Sequence, residues 1–268
     1  MERKYIFFDI DHTLVSHVGK SHIPPETREA VRLLREHGHV PAIATGRGAF
    51  LSRRVAGELG ISLLVCSNGA QIVNGEETLY SVPFPVQALD SFLEVAARFP
   101  EYAAAIDERF LYTSSKNQEI KDYFNGQAGY PCVRPLEEMT GVLLCYLMLP
   151  PPLPEGSGLF STPPEGVMLE PMSQFVEARA AGTSKWLGIT RVLEHLGASV
   201  RDAITFGDGP NDVEMLRGAP MSVAVGSARD QAREAAKFLA GDIDEGGILR
   251  ACQDLGLIPA QKGGMLYN

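Results

Sequence analysis

Short unbroken apolar runs alternate with stretches of helical period at both ends of this 268-residue chain. Tyr5-Ile6-Phe7-Phe8, Val40–Ala44, Leu63-Leu64-Val65-Cys66 and Ala203-Ile204-Thr205-Phe206 have the pattern of strands covered on both faces. Between the first two, Pro24-Pro25-Glu26 opens a helix, with proline in the first turn and an acid near the N-terminus. Ala30, Val31, Leu33 and Leu34 supply its apolar face, and Gly38 its stop. Further helices are predicted over residues 50–59, 184–196 and 230–236, a short one from Asp212 to about Arg217, and further strands over 222–225 and 238–240. Strands alternating with helices of this length predict a parallel sheet with crossover connections.

The rhythm breaks in the middle of the chain. Gln71-Ile72-Val73 and Thr78-Leu79-Tyr80 flank Asn74-Gly75, a strong hairpin signal. From residue 83 to 182 a helix (86–99) is mixed with short strands (102–106, 110–113, 142–149, 166–169), and proline runs such as Pro150-Pro151-Pro152 punctuate the region. The expected class is therefore α/β: a Rossmann-like parallel-sheet core made of 1–82 and 183–268, with an inserted α+β domain at 83–182.

Composition narrows the functional classes. A net charge of −9 argues against a nucleic-acid surface, which needs a basic stripe. The apolar run 142–149 is too short to span a bilayer, and the N-terminus does not read as a signal peptide. Cys66, Cys132, Cys145 and Cys252 are scattered, without the spacing of a zinc site or a disulfide framework. A reducing cytoplasm is the expected location, and a monomer or small homo-oligomer the expected state.

The chemistry gathers at strand ends. The first strand delivers Asp9 and Asp11 two residues apart, at a spacing that turns both to one side, where they repel unless a cation intervenes. The second ends in Thr45-Gly46-Arg47, and the strand at 203–206 in Gly207-Asp208-Gly209-Pro210-Asn211-Asp212. In an open parallel sheet, ligands bind at the carboxyl ends of the strands. Taken singly, Thr45 fits an ordinary turn, Lys185 a solvated helix residue, Asp208-Gly209 a turn and Asn211-Asp212 a helix start; all of them in order point to a site.

Asp9-Ile10-Asp11-His12-Thr13-Leu14, Ala44-Thr45-Gly46-Arg47, Lys185 and Gly207–Asp212 together resemble the four motifs of the haloacid dehalogenase superfamily of phosphohydrolases. Ser67-Asn68-Gly69-Ala70 and the insertion after it resemble the Cof-type branch, which carries a large α/β cap there. The resemblance implies Asp9 as a nucleophile forming an aspartyl-phosphate, and Asp11 as general acid and base. It implies Mg²⁺ held by the carboxylates of Asp9 and Asp208 and the backbone carbonyl of Asp11, with Asp212 in support. Thr45 and Lys185 would hold the phosphoryl oxygens, and Gly46, Arg47 and Asn211 would contact phosphate or substrate. His12 stands where such enzymes often have glycine. The implied partner is a small phosphorylated metabolite, a sugar phosphate or a phosphorylated cofactor. Two other functions fit the same motifs: a sugar phosphomutase, and a non-catalytic phosphometabolite-binding protein, for which a nucleophile would be superfluous.

Overall fold

A computed structural model describes residues 2–98, 103–113, 118, 121–122, 133–139, 141–147, 163–171 and 176–260. In chain order the elements are β1 (Tyr5–Phe8), α1 (Pro25–Glu36), β2 (Val40–Ala44), α2 (Ala49–Leu59), β3 (Leu63–Cys66), β4 (Gln71–Asn74), β5 (Glu77–Ser81) and α3 (Val86–Arg98). They continue with β6 (Ala103–Ile106), β7 (Leu111–Thr113), β8 (Val133–Pro135), β9 (Leu144–Leu147), β10 (Val167–Pro171), β11 (Val176–Ala180) and α4 (Lys185–His195). The chain closes with β12 (Ala203–Gly207), α5 (Val213–Gly218), β13 (Met221–Ala224), α6 (Asp230–Ala235), β14 (Phe238–Leu239) and α7 (Gly247–Asp254). Cys132, the Pro150-Pro151-Pro152 run and the predicted element ends at Phe99, Tyr102 and Leu149 lie outside the described residues.

Two compact units form, one from Met1–Ala44 with Ile189–Asn268 and one from Thr45–Gly188. In the first, five strands run parallel in the order β14-β13-β12-β1-β2. β1 lies between β12 and β2, and Ile6, Phe7 and Phe8 are fully buried, as an uninterrupted apolar run in a sheet covered on both faces requires. Helix α1 packs on β2 and α7, and α5 on β12, β13 and α6. The face α1 buries is Thr27, Ala30, Val31 and Leu34, spaced for one side of a helix, with Pro25 in the first turn. The parallel α/β class expected from the sequence is present.

The second unit has two sheets. β3, β4 and β5 form an antiparallel meander, with the predicted hairpin turning beyond Asn74. The other sheet has the order β10-β11-β9-β6-β7-β8; its pairs are antiparallel except for β7 with β8. Phe84, Ala88 and Phe92 pack with Ala103, Ala105, Tyr112, Val176 and Ala178, so a helix covers one face of this sheet in α+β fashion. β8, β11 and α7 were not anticipated. β11 reads Val-Glu-Ala-Arg-Ala, and its charges hide a strand in which every residue is buried.

Candidate active site

β1 and β12 are parallel neighbours with Phe8 opposite Phe206, so the residues that follow them leave the sheet at the same end. Asp9 N–H donates to the Phe206 carbonyl at 3.0 Å, extending the pairing by one step. The chain then turns tightly: the amides of Leu14 and Val15 both donate to the Ile10 carbonyl, and His12 takes a left-handed φ of 59°. A side chain in that conformation costs about 1–2 kcal/mol, which glycine would avoid. His12 thus occupies a position whose backbone favours glycine. The turn aims the buried Thr13 at the neighbouring strand end, where its hydroxyl donates to Asp208 Oδ1 at 2.8 Å.

The Asp208 loop is organised by Asp212, whose Oδ2 accepts from the amides of Asp208 and Gly209, both at 2.9 Å. Gly207 makes this possible: a Cβ there would lie 2.6 Å from the Asp212 carboxyl carbon. Asp9, Asp208 and Asp212 are all buried, and one carboxylate oxygen from each lies within 4.8 Å of the others. Three buried like charges at this separation repel strongly, and a cation among them relieves it. The donors are all carboxylate, which suits a hard metal ion. Asp11 is outside that trio; its half-exposed carboxylate accepts from His17 Nε2 at 2.8 Å. Asn211 lies half-buried in the single turn Pro210–Asp212.

The other predicted site residues gather within the second unit. Thr45 is buried; its hydroxyl accepts from the Arg47 amide at 3.1 Å, and its carbonyl accepts from the Asn68 amide at 3.0 Å. Gly46 and Arg47 are half-buried, and the Arg47 carbonyl accepts from the Ser67 amide. Ser67, Asn68 and Gly69 all have positive φ (49°, 49° and 87°), an uncommon run that brings Gly69 against the backbone of Ser184. Ser184 caps α4 by accepting from the Leu187 amide, and Lys185 is the first residue of that helix. Lys185 is 1 % exposed, which rules out the solvated surface lysine that a helix start would ordinarily provide.

Below this turn lies a network that the sequence did not announce. Asn68 Nδ2 donates to Glu177 Oε1 at 2.7 Å, and Arg179 Nε stands 3.4 Å from the same oxygen. Arg179 also donates to Glu170 at 2.6 Å and to the Thr183 carbonyl, gripping the segment that leads to Lys185. Burial pushes the Glu177 carboxyl up to about 7, although Arg179, Asn68 and Lys185 all favour its charged form. The signal for Asn68 was the Asn-Gly pair, which marks left-handed backbone. Thr13 stood inside the first motif without an assigned role, and Glu177 had no signal.

A parallel sheet carrying buried acids at its carboxyl edge defines an α/β protein with a cluster of carboxylates that could hold a metal ion. The pattern of the haloacid dehalogenase-like hydrolases matches residues 6–138 and 166–252, and the chain belongs to that family. YkrA of Bacillus subtilis is 30% identical over 265 residues, covering 96% of this chain and 100% of that protein. The HMP-PP phosphatase of Escherichia coli O6:H1 is 25% identical, over 84% of this chain and 85% of that one. Among solved structures, the HAD subclass IIB sugar phosphatase BT4131 superposes with a TM-score of 0.80 at 29% identity, covering 95% and 100% of the two chains.

Proposed function

We propose that this protein is a Mg²⁺-dependent phosphatase that hydrolyses small phosphate monoesters, sugar phosphates or phosphorylated cofactors, through a phosphorylated Asp9. The observation that carries the proposal is the buried trio Asp9, Asp208 and Asp212 at the ends of two adjacent parallel strands. A lone buried carboxylate would serve as nucleophile; two more beside it serve a cation. The named activities of the E. coli and subclass IIB relatives support the substrate class.

Asp9, Asp208 and the Asp11 backbone carbonyl would hold Mg²⁺, with Asp212 fixing the loop that carries Asp208. The ion supplies charge neutralisation between a carboxylate nucleophile and an anionic phosphate. In the first step an Asp9 oxygen bonds to phosphorus, the ester P–O bond breaks, and the protonated Asp11 carboxyl gives its proton to the leaving alcohol. In the second step Asp11 takes a proton from water, the water oxygen bonds to phosphorus, and the Asp9–phosphorus bond breaks, releasing inorganic phosphate. Thr45 and Lys185 stabilise the phosphoryl oxygens, with Gly46, Arg47 and Asn211 binding phosphate or substrate. Residues 83–182 act as the cap that selects substrate for a core formed by 1–82 and 183–268.

Asp9→Asn should fold normally and lose turnover of p-nitrophenyl phosphate; EDTA should silence the wild type and Mg²⁺ restore it. Retained activity in Asp9→Asn, or metal-independent hydrolysis, overturns the proposal. Isomerised sugar phosphate without released phosphate would identify a mutase instead.

A further inference from the structure

Asp11 is held by a residue outside the four motifs. After the turn that follows β1, Ser16 and His22 exchange backbone hydrogen bonds (2.9 and 3.1 Å) and close a small hairpin-like loop. Its base is fastened twice to Asp244: the Ser16 hydroxyl donates to Oδ2 at 2.6 Å, and His22 Nε2 lies 3.3 Å from Oδ1. His17 therefore projects from an anchored position. Its Nε2 is 2.8 Å from Asp11 Oδ1 and its Nδ1 is 2.9 Å from the Ser21 hydroxyl. A carboxylate only accepts, so Nε2 carries the hydrogen; in the neutral ring Nδ1 then accepts from Ser21. The His12 ring backs this arrangement, 4.7 Å from the His17 ring and tilted 54° to it.

We propose that His17 is a positioning residue for Asp11, its Nε2–H holding Oδ1 so that the carboxyl group, when protonated on its other oxygen, is placed to deliver that proton to the leaving oxygen. This rests on the reading of Asp11 as proton carrier. The Asp11 side chain is 39% exposed, and a short acid at a surface turn has several rotamers open to it, among which a hydrogen bond of 2.8 Å from His17 selects. Proton transfer depends on placement within hydrogen-bond reach, so a wandering carboxyl loses rate even when its acidity is unchanged. Ser21 fixes the plane of the imidazole from its far side, the arrangement by which histidine tautomers are set.

The test separates this role from a merely structural one by leaving group. A hexose 6-phosphate leaves as an alkoxide and needs the proton, whereas p-nitrophenolate leaves without it. For His17→Ala, kcat/KM on the hexose phosphate should fall about tenfold, as for loss of one hydrogen bond to a charged group. On p-nitrophenyl phosphate the fall should be at least five times smaller. His17→Gln, whose amide N–H reaches the same oxygen, should restore most of the loss. An equal fall on both substrates, no fall on either, or failure of glutamine to rescue overturns the positioning role. Asp9→Asn run in parallel distinguishes the two levels: if it still turns over p-nitrophenyl phosphate, the phosphatase reading fails, whereas a dead Asp9→Asn beside an unaffected His17→Ala sinks only the role of His17.

Discussion

Glu177 offers a quantitative check on the network under the Ser67–Gly69 turn. The carboxyl is buried, accepts from Asn68 and lies beside Arg179, and burial lifts it from 4.5 to about 7. Because the folded state binds the proton more tightly than the unfolded one, the contribution of Glu177 to stability is fully present below pH 4.5 and is lost as pH rises through about 7. Between pH 5 and pH 8 the difference converts to about 2–3 kcal/mol for a side chain buried to this degree. Glu177→Gln keeps the side-chain oxygen for Asn68 and removes the ionisation, and Arg179 retains Glu170. The variant should therefore match wild type near pH 5 and exceed it by about 2–3 kcal/mol at pH 8. Urea unfolding followed by Trp186, the one tryptophan in the chain, measures both proteins in the second unit. Other titrating groups cancel in the difference. Parallel stability curves across this range would refute the buried ionisation, and a variant weakest at pH 8 would show that the Glu177–Arg179 attraction outweighs desolvation.

Two further substitutions probe the turns that carry the site. Thr13→Val keeps the volume but leaves Asp208 Oδ1 without its buried 2.8 Å donor; it should lower stability by about 2 kcal/mol, read as a fall of about 5 °C in Tm, and weaken Mg²⁺ binding about tenfold by calorimetry. Unchanged Tm and affinity would show that the hydroxyl is idle. Gly69→Ala places a Cβ 2.0 Å from the Ser184 carbonyl oxygen at a φ of 87°; it should cost more than about 3 kcal/mol in urea unfolding, and a variant within about 1 kcal/mol of wild type would deny the close approach.

The parallel sheet was legible because β1, β2 and β12 are buried on both faces and spell unbroken apolar runs, and the trio of acids because polar residues stand out at the ends of such runs. β11 was hidden by its own chemistry. Glu177 and Arg179 alternate like solvent-facing residues, yet both are buried: they stand 3.4 Å apart, Asn68 donates to Glu177, and Arg179 donates to Glu170 and the Thr183 carbonyl. Long-range pairing of this kind has no local period. His17 was invisible for a similar reason: its partner is six residues away across a turn whose geometry depends on a left-handed His12, which the sequence alone gives no cause to expect. β8 and α7 were missed on weaker signals, a three-residue edge strand containing proline and a helix that opens on Gly246-Gly247.

The most direct measurement is the mass of the protein quenched in acid during turnover of p-nitrophenyl phosphate with Mg²⁺, followed by mapping of any modified peptide. One added phosphoryl group should appear on the peptide containing Asp9, accumulate further in Asp11→Asn, which can no longer activate water, and be absent from Asp9→Asn. Turnover without an adduct, or an adduct on another residue, would contradict the assignment of Asp9 as the nucleophile.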